Sequence, residues 1–159
     1  MRPSFIQSRM QPKIGPPPKD ELKGGLKELL EASLEQGEKV YVSTEGGMGE
    51  ALVATNRRVL ALKCGFMAGA YKDPICFSYA YEDIYLFEWG RRRRILEIVP
   101  FKDVQKKKVG ITFLPFHDKA FTSAVRFMSQ RVVECRKKNP HVNDKAKQHA
   151  MEDAKKMRY

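Results

Sequence analysis

The sequence predicts a mainly β fold with helices: seven antiparallel strands forming a barrel or sandwich, capped by a C-terminal amphipathic α-helix and preceded by a short N-terminal helix. Three observations carry that prediction. Between residues 38 and 113 the chain breaks into short β-type runs divided by turn residues. None of the connections is long enough for the crossover a parallel pair needs, which leaves an antiparallel meander. Beyond them, Phe121, Val125, Met128, Val132 and Cys135 recur at alternating steps of four and three, one apolar stripe along a helix.

Taken in order, residues 1–19 are rich in Pro, Gln, Ser, Arg and Lys and close on Gly15-Pro-Pro-Pro-Lys19, which predicts a flexible, Pro-rich basic arm. Asp20 is placed to cap a helix in which Leu22, Leu26, Leu29, Leu30 and Leu34 recur at helical spacing, and Gly37 is placed to end it. Gly24 and Gly25 each cost about 1 kcal/mol in a helix interior, so its stable part is expected to begin near Gly25. Strands are expected at 39–44, 50–55, 59–63, 75–80, 84–89, 94–99 and 109–113. Gly46-Gly-Met-Gly49 reads as a hairpin turn and Thr55-Asn-Arg-Arg58 as a tight turn, with both arginines solvated at the rim. Pro115 breaks the last strand, and 116–138 reads as one helix whose stripe Phe116, Ala120 and Ala124 widen while Arg126 and Arg131 stay outside. That helix is expected to plug one open end of the barrel, with Leu26, Leu30 and Leu34 covering an edge. Asn139-Pro140 stops it. Residues 139–159, nearly devoid of large apolar side chains, are expected as a basic mobile tail with partial helix as an option, leaving 20–138 as the domain.

The net charge of +11 suggests a polyanion partner, but its distribution matters more than its total. Residues 1–25 hold five basic against two acidic side chains, 26–114 fourteen against twelve, and 115–159 eleven against five. The predicted strand region is therefore nearly neutral and the flanks carry the surplus. Cys64, Cys76 and Cys135 are odd in number and lack the short spacing of a zinc clip, so free, buried thiols are expected. The first ten residues contain no apolar run of signal-peptide length, and no stretch approaches the roughly 18 apolar residues of a membrane span. The expectation is a cytoplasmic chain, with peripheral association at a membrane as an option.

Three stretches carry a family likeness: Leu34-Glu-Gln-Gly-Glu-Lys-Val40 entering the first strand, Ala51-Leu-Val-Ala-Thr-Asn-Arg-Arg-Val-Leu60 forming a hairpin, and Phe77-Ser-Tyr-Ala-Tyr-Glu-Asp-Ile84 linking two sheets. Together with the element order they resemble the short bacterial pleckstrin-homology-like domains of the YokE-like group. The resemblance implies a pleckstrin-homology superfold and a non-catalytic binding role. It also implies that the loops after the third and sixth strands flank the barrel mouth, bringing Lys72 near Lys106, Lys107 and Lys108.

The motifs of catalysis are missing from the sequence. The Gly46–Gly49 run lacks the Gly-Lys-Ser/Thr of a phosphate loop, and His117, His141 and His149 have no paired carboxylate or cysteine spacing. An enzyme, a cofactor and a metal site are not expected. Lipid-binding pleckstrin homology domains hold inositol phosphates with basic residues of the first hairpin, because several phosphate oxygens need convergent donors. Here that hairpin carries Glu45 and Glu50 instead. The remaining anion-binding candidates are Arg91, Arg92, Arg93 and Arg94 at one turn, Lys102, Lys106, Lys107 and Lys108 at another, and Lys72. Phe66 and Met67 top a long loop and are candidate membrane contacts, although folding back onto the barrel is the favoured reading. The partner is expected to be a protein or an anionic membrane. Nucleic acid is the alternative, through the four arginines beside Trp89, Phe87 and Tyr85 and through the basic ends.

Overall fold

The strand Glu50–Thr55 and its neighbour Arg58–Lys63 read as near-continuous apolar runs, Ala51-Leu-Val-Ala54 and Val59-Leu-Ala-Leu62, and the computed structural model shows why: both faces of each are covered. Residues 16–47, 49–65, 73–90 and 94–157 are described. The elements are α1 (Gly24–Ser33), β1 (Val40–Glu45), β2 (Glu50–Thr55), β3 (Arg58–Lys63), β4 (Ile75–Ala80), a 3-10 turn (Tyr81–Asp83), β5 (Ile84–Trp89), β6 (Ile95–Pro100), β7 (Val109–Thr112), a second 3-10 turn (Pro115–His117), α2 (Asp118–Lys138) and α3 (Pro140–Lys156). Every expected strand is present with ends shifted by no more than one residue.

The strands form two antiparallel sheets, β1-β2-β3-β4 and β5-β6-β7, which face each other as an open sandwich and not a closed barrel. The chain changes sheet at Tyr81–Asp83. One corner is tied where the Gly47 N–H donates to the Thr112 carbonyl at 2.7 Å and the Thr112 N–H donates to Glu50 Oε2 at 3.0 Å. Gly46 is required at this corner, since a β-carbon there would collide with the Thr112 carbonyl oxygen.

Alternating positions of both sheets meet α2 in the main core. Val42, Leu52, Ala54, Val59, Ala61 and Tyr79 come from the first sheet, Ile84, Leu96, Ile98, Val109 and Ile111 from the second, and Phe121, Ala124, Met128 and Val132 from α2. The buried stripe of α2 is thus turned slightly from the expected one: Ala124 is fully buried and Val125 only partly.

The N-terminal region corrects the sequence reading in three ways. Helix α1 ends at Ser33, and Gly37, with φ of +78°, belongs to the turn before β1. Asp20 does not cap the helix; its N–H donates to the Ser43 carbonyl at 2.8 Å and the Ser43 N–H donates to Pro18 at 3.0 Å, so residues 18–20 lie parallel to the outer edge of β1. Finally, Leu22 and Leu26 cover the outer face of the first sheet over Ala51, Val53, Leu60 and Leu62, where an edge had been expected.

Residues 140–156, expected as a tail, form a helix. Its Val142 and Ala146 pack on Phe101, the residue that follows β6, while Lys145 pairs with Asp103 at 2.8 Å. Two small apolar residues four apart suffice because Phe101, 0 % exposed, supplies the large surface. Among the described residues no helix is long and apolar enough to cross a membrane.

Candidate functional site

Three sequence stretches that look independent meet at one place. Arg58, opening β3, lays its guanidinium on Glu38 in bidentate form, Nε to Oε2 and Nη2 to Oε1 at 2.9 Å each. The same guanidinium donates to the Ser33 carbonyl at the end of α1 (2.6 Å) and to Ser78 Oγ on β4 (3.0 Å). Thr55 Oγ1 donates to Glu38 Oε2 at 2.7 Å and accepts the Arg57 and Arg58 N–H groups, while the Tyr81 hydroxyl donates to the Thr55 carbonyl at 2.6 Å. Arg58 and Thr55 hold the Glu38 carboxyl down from 4.5 to about 2, against the opposing effect of burial. Burial pushes the Tyr81 phenol up. Arg58 is therefore a part-buried tie between α1, β3 and β4, not the solvated turn residue that its sequence context suggests. Arg57 alone of the pair reaches solvent, bonded to Glu35 at 3.1 Å.

The anion-binding candidates are dispersed. Lys106 Nζ donates to the Ser78 carbonyl at 2.6 Å, and the Lys107 carbonyl accepts the Tyr79 hydroxyl, so this loop docks on the second half of β4. Lys108 pairs with Glu97 at 2.7 Å, and that carboxylate raises the Lys108 ammonium above its ordinary range. Lys102 faces Asp153 of α3 at 3.8 Å. Arg94 pairs with Asp118 at 3.1 Å. The register Ile95–Thr112 and Ile98–Val109 puts Arg94 and Lys108 at opposite ends of the second sheet, on the order of 15 Å apart. Lys72, Arg91, Arg92, Arg93, Phe66 and Met67 lie outside the described residues.

A rim that sequence reasoning missed lies at the Arg94 end. Trp89 closes β5 at 37 % exposure, edge-on to Phe113 with ring centroids 5.6 Å apart. Phe113 is buried and stacked on Phe121, and its N–H donates to the Arg94 carbonyl at 2.9 Å. Leu114 follows at 46 % exposure and Phe116 at 77 %. Phe116 had been assigned to the buried stripe of α2, but Pro115 starts a 3-10 turn, so the helical count does not extend back to it. That proline is the signal that could have found it. Lys119 is exposed in the first turn of α2. A cavity of about 290 Å³ opens here between Trp89, Phe113, Asp118 and Thr122.

Four antiparallel strands, a turn into three more, and a helix packed on both sheets complete the element order that the sequence suggested. A pleckstrin homology domain from Shewanella amazonensis SB2B, in a crystal structure at 1.99 Å resolution, is similar at 15% identity with a TM-score of 0.40, over 64% of this chain and 96% of that one. No protein-family model and no curated protein matches the chain. In this two-sheet sandwich the first hairpin is closed by a buried acid. Glu50 is 1% exposed, its Oε2 accepts the Thr112 amide at 3.0 Å, and Lys63 Nζ lies 3.8 Å away. Burial pushes the Glu50 carboxyl up, with the Thr112 amide and Lys63 opposing it. A carboxyl in this position repels phosphate instead of gathering it. Among the described residues no group of three or more His, Cys, Asp or Glu could hold a metal ion.

Proposed function

We propose that the chain is a non-catalytic binding module that acts by surface association, with a protein or an anionic membrane as its partner. The observation that carries this reading is the rim, where Trp89, Leu114 and Phe116 stand exposed beside Arg94 and Lys119. Two further observations favour a surface over an enclosed ligand. Lys106 and Lys108 are engaged with Ser78 and Glu97, and the basic clusters are separated by the length of the second sheet. The Glu38 carboxylate and the His117 Nδ1 are bonded within the fold, to Arg58 and to the Leu114 amide, which leaves them unsuited to proton transfer.

Nucleic acid is the second reading. It draws support from Trp89, whose exposed ring precedes the run Arg91-Arg92-Arg93-Arg94 in the sequence. The test is a panel of lipid vesicles, single-stranded RNA and candidate proteins at low and high salt. Membrane association through charge and apolar contact should weaken with salt but not vanish, RNA binding should fall steeply, and protein docking should change little. No binding to any member of the panel at either salt would remove the surface-association reading.

A further inference from the structure

Glu50 and Thr55 are the two ends of β2, and the sheets are tied differently at each. At the Thr55 end the chain itself crosses from one sheet to the other through Tyr81–Asp83, and the Tyr81 hydroxyl bonds the Thr55 carbonyl. At the Glu50 end the tie is non-covalent and gathers on Thr112 of β7. The Thr112 carbonyl accepts the Gly47 N–H at 2.7 Å, and the Thr112 N–H donates to Glu50 Oε2 at 3.0 Å. Glu50 is 1% exposed, and its other oxygen, Oε1, is buried with no hydrogen-bond partner. Thr44 Oγ1 is buried without a partner as well. The register of Thr44 with Leu52 places Thr44 and Glu50 diagonally on the core face of the β1–β2 pair, about 7 Å apart at Cα. Thus β1 and β7 face Glu50 with the Thr44 hydroxyl and the Thr112 backbone. Among the described residues the charged group that acts on it is Lys63 of β3, whose Nζ lies 3.8 Å from Oε2, too far for a hydrogen bond.

We propose that this corner is a pH-operated latch between the two sheets, closed while the Glu50 carboxyl is neutral and loosened when it ionises. A neutral carboxyl suits the site. Its Oε2 accepts the Thr112 N–H, and a proton on Oε1 gives that oxygen a donor to turn toward the Thr44 hydroxyl. An ionised carboxyl does not suit it, because Oε1 then needs donors that the core does not supply and a buried charge without them is unfavourable. The carboxylate is relieved by turning toward Lys63, whose side chain is 19% exposed and leads to water. That turn takes Oε2 away from Thr112 and undoes the tie. Burial pushes the Glu50 carboxyl up from its ordinary value, with the Thr112 amide and Lys63 opposing. A carboxyl raised in the folded state favours the closed corner fully at acid pH and gives up that contribution as pH rises through its folded value. Glu38, bonded to Thr55 at the other end of β2, is held down by Arg58 and acts in reverse. The two ends of β2 therefore respond to pH in opposite directions.

The test follows the full chain by NMR, with the side-chain carboxyl carbon of Glu50 assigned through its own backbone. Its titration midpoint is expected above that of the exposed glutamates. Amide exchange, referred to the intrinsic rate at each pH, is expected to lose protection at Thr112 by roughly tenfold per pH unit once pH passes that midpoint. The Leu60 amide in the middle of β3 should keep its protection over the same range. Glu50→Gln retains an acceptor for the Thr112 N–H and cannot ionise, so its Thr112 protection should hold constant with pH. If that variant does not fold, the wild-type chain still decides, since carboxyl titration and loss of Thr112 protection must share one midpoint. A Glu50 that titrates with the exposed glutamates overturns the latch. So does Thr112 protection that holds constant across the Glu50 midpoint, or that falls equally in wild type and Glu50→Gln.

Discussion

A buried carboxylate is tolerated only when its charge is matched and its oxygens are bonded, and Glu38 meets both conditions through Arg58, Thr55 and the Glu35 amide. Its side chain has 0% exposure while that of Arg58 has 17%. Removing one partner strands the other, so Arg58→Ala should cost about 3–5 kcal/mol in urea unfolding, a loss that Arg57→Ala on the exposed neighbour should not approach. The pair also sets a pH dependence. A carboxyl held down in the folded state contributes stability that is full above its unfolded value near 4.5 and is lost as pH falls toward about 2. Glu50, pushed up by burial, acts in the opposite sense, its contribution fading as pH rises. The difference between wild type and Glu38→Gln isolates the first effect. Unfolding free energies of the two, measured over about four pH units from near neutral to acid, should converge as pH falls. Curves that ran parallel would show that Glu38 carries no such linkage.

Helix α3 packs outside the main core. Its contact on Phe101 is a cluster separate from the main core, and no strand pairs with it. His149 adds its ring between Tyr85 and Phe101, with centroids at 4.1 and 5.7 Å. Val142→Asp should therefore release α3 without unfolding the sandwich: far-UV helicity falls, while Trp89 emission and the main thermal transition persist. Loss of the main transition would show that α3 is integral to the core. The sequence shows this helix only faintly because its apolar content is Val142, Met151 and three alanines, too little for a periodic stripe. Its partner surface, Phe101 and Tyr85, lies some 40 residues upstream, on the order of a separation that no local pattern reveals. Strand ends, by contrast, were legible to within one residue, since turn residues and β-branched runs mark them locally.

At the scale of the whole molecule, the core is built in layers: α1 on the outer face of the first sheet, the two sheets facing each other, and α2 across both. The first layer includes residues 18–22, because Leu22 is 4% exposed and Pro18 and Asp20 bond to Ser43. A chain of residues 16–157 should accordingly unfold at higher temperature than one of 26–157, which lacks Leu22 and the edge pairing. Loss of one buried leucine alone is worth about 2–5 kcal/mol. Equal melting temperatures in calorimetry would show that Leu22 and the 18–20 segment add nothing to the sandwich. The charge surplus lies mainly outside residues 26–114, so the salt response of the whole chain reports on its ends as well as on the rim.

The sequence by itself determined the strand count, the antiparallel connections and the presence of α1 and α2, because apolar periodicity and turn chemistry are local properties that act whatever the rest of the chain does. It also showed that the first hairpin lacks cations, a matter of composition alone. Only the tertiary structure decided the roles of single side chains. Arg58 looks like any turn arginine until Glu38, Ser33 and Ser78 converge on it from three other segments. Phe116 looks like core until the 3-10 turn at Pro115 swings it outward. Lys106 and Arg94 look like one basic surface until the β6–β7 register sets them at opposite ends of a sheet. For Arg58 and for Lys106 the deciding contacts join residues far apart in sequence, and their energy depends on geometry that exists only once the sheets have formed and closed on one another.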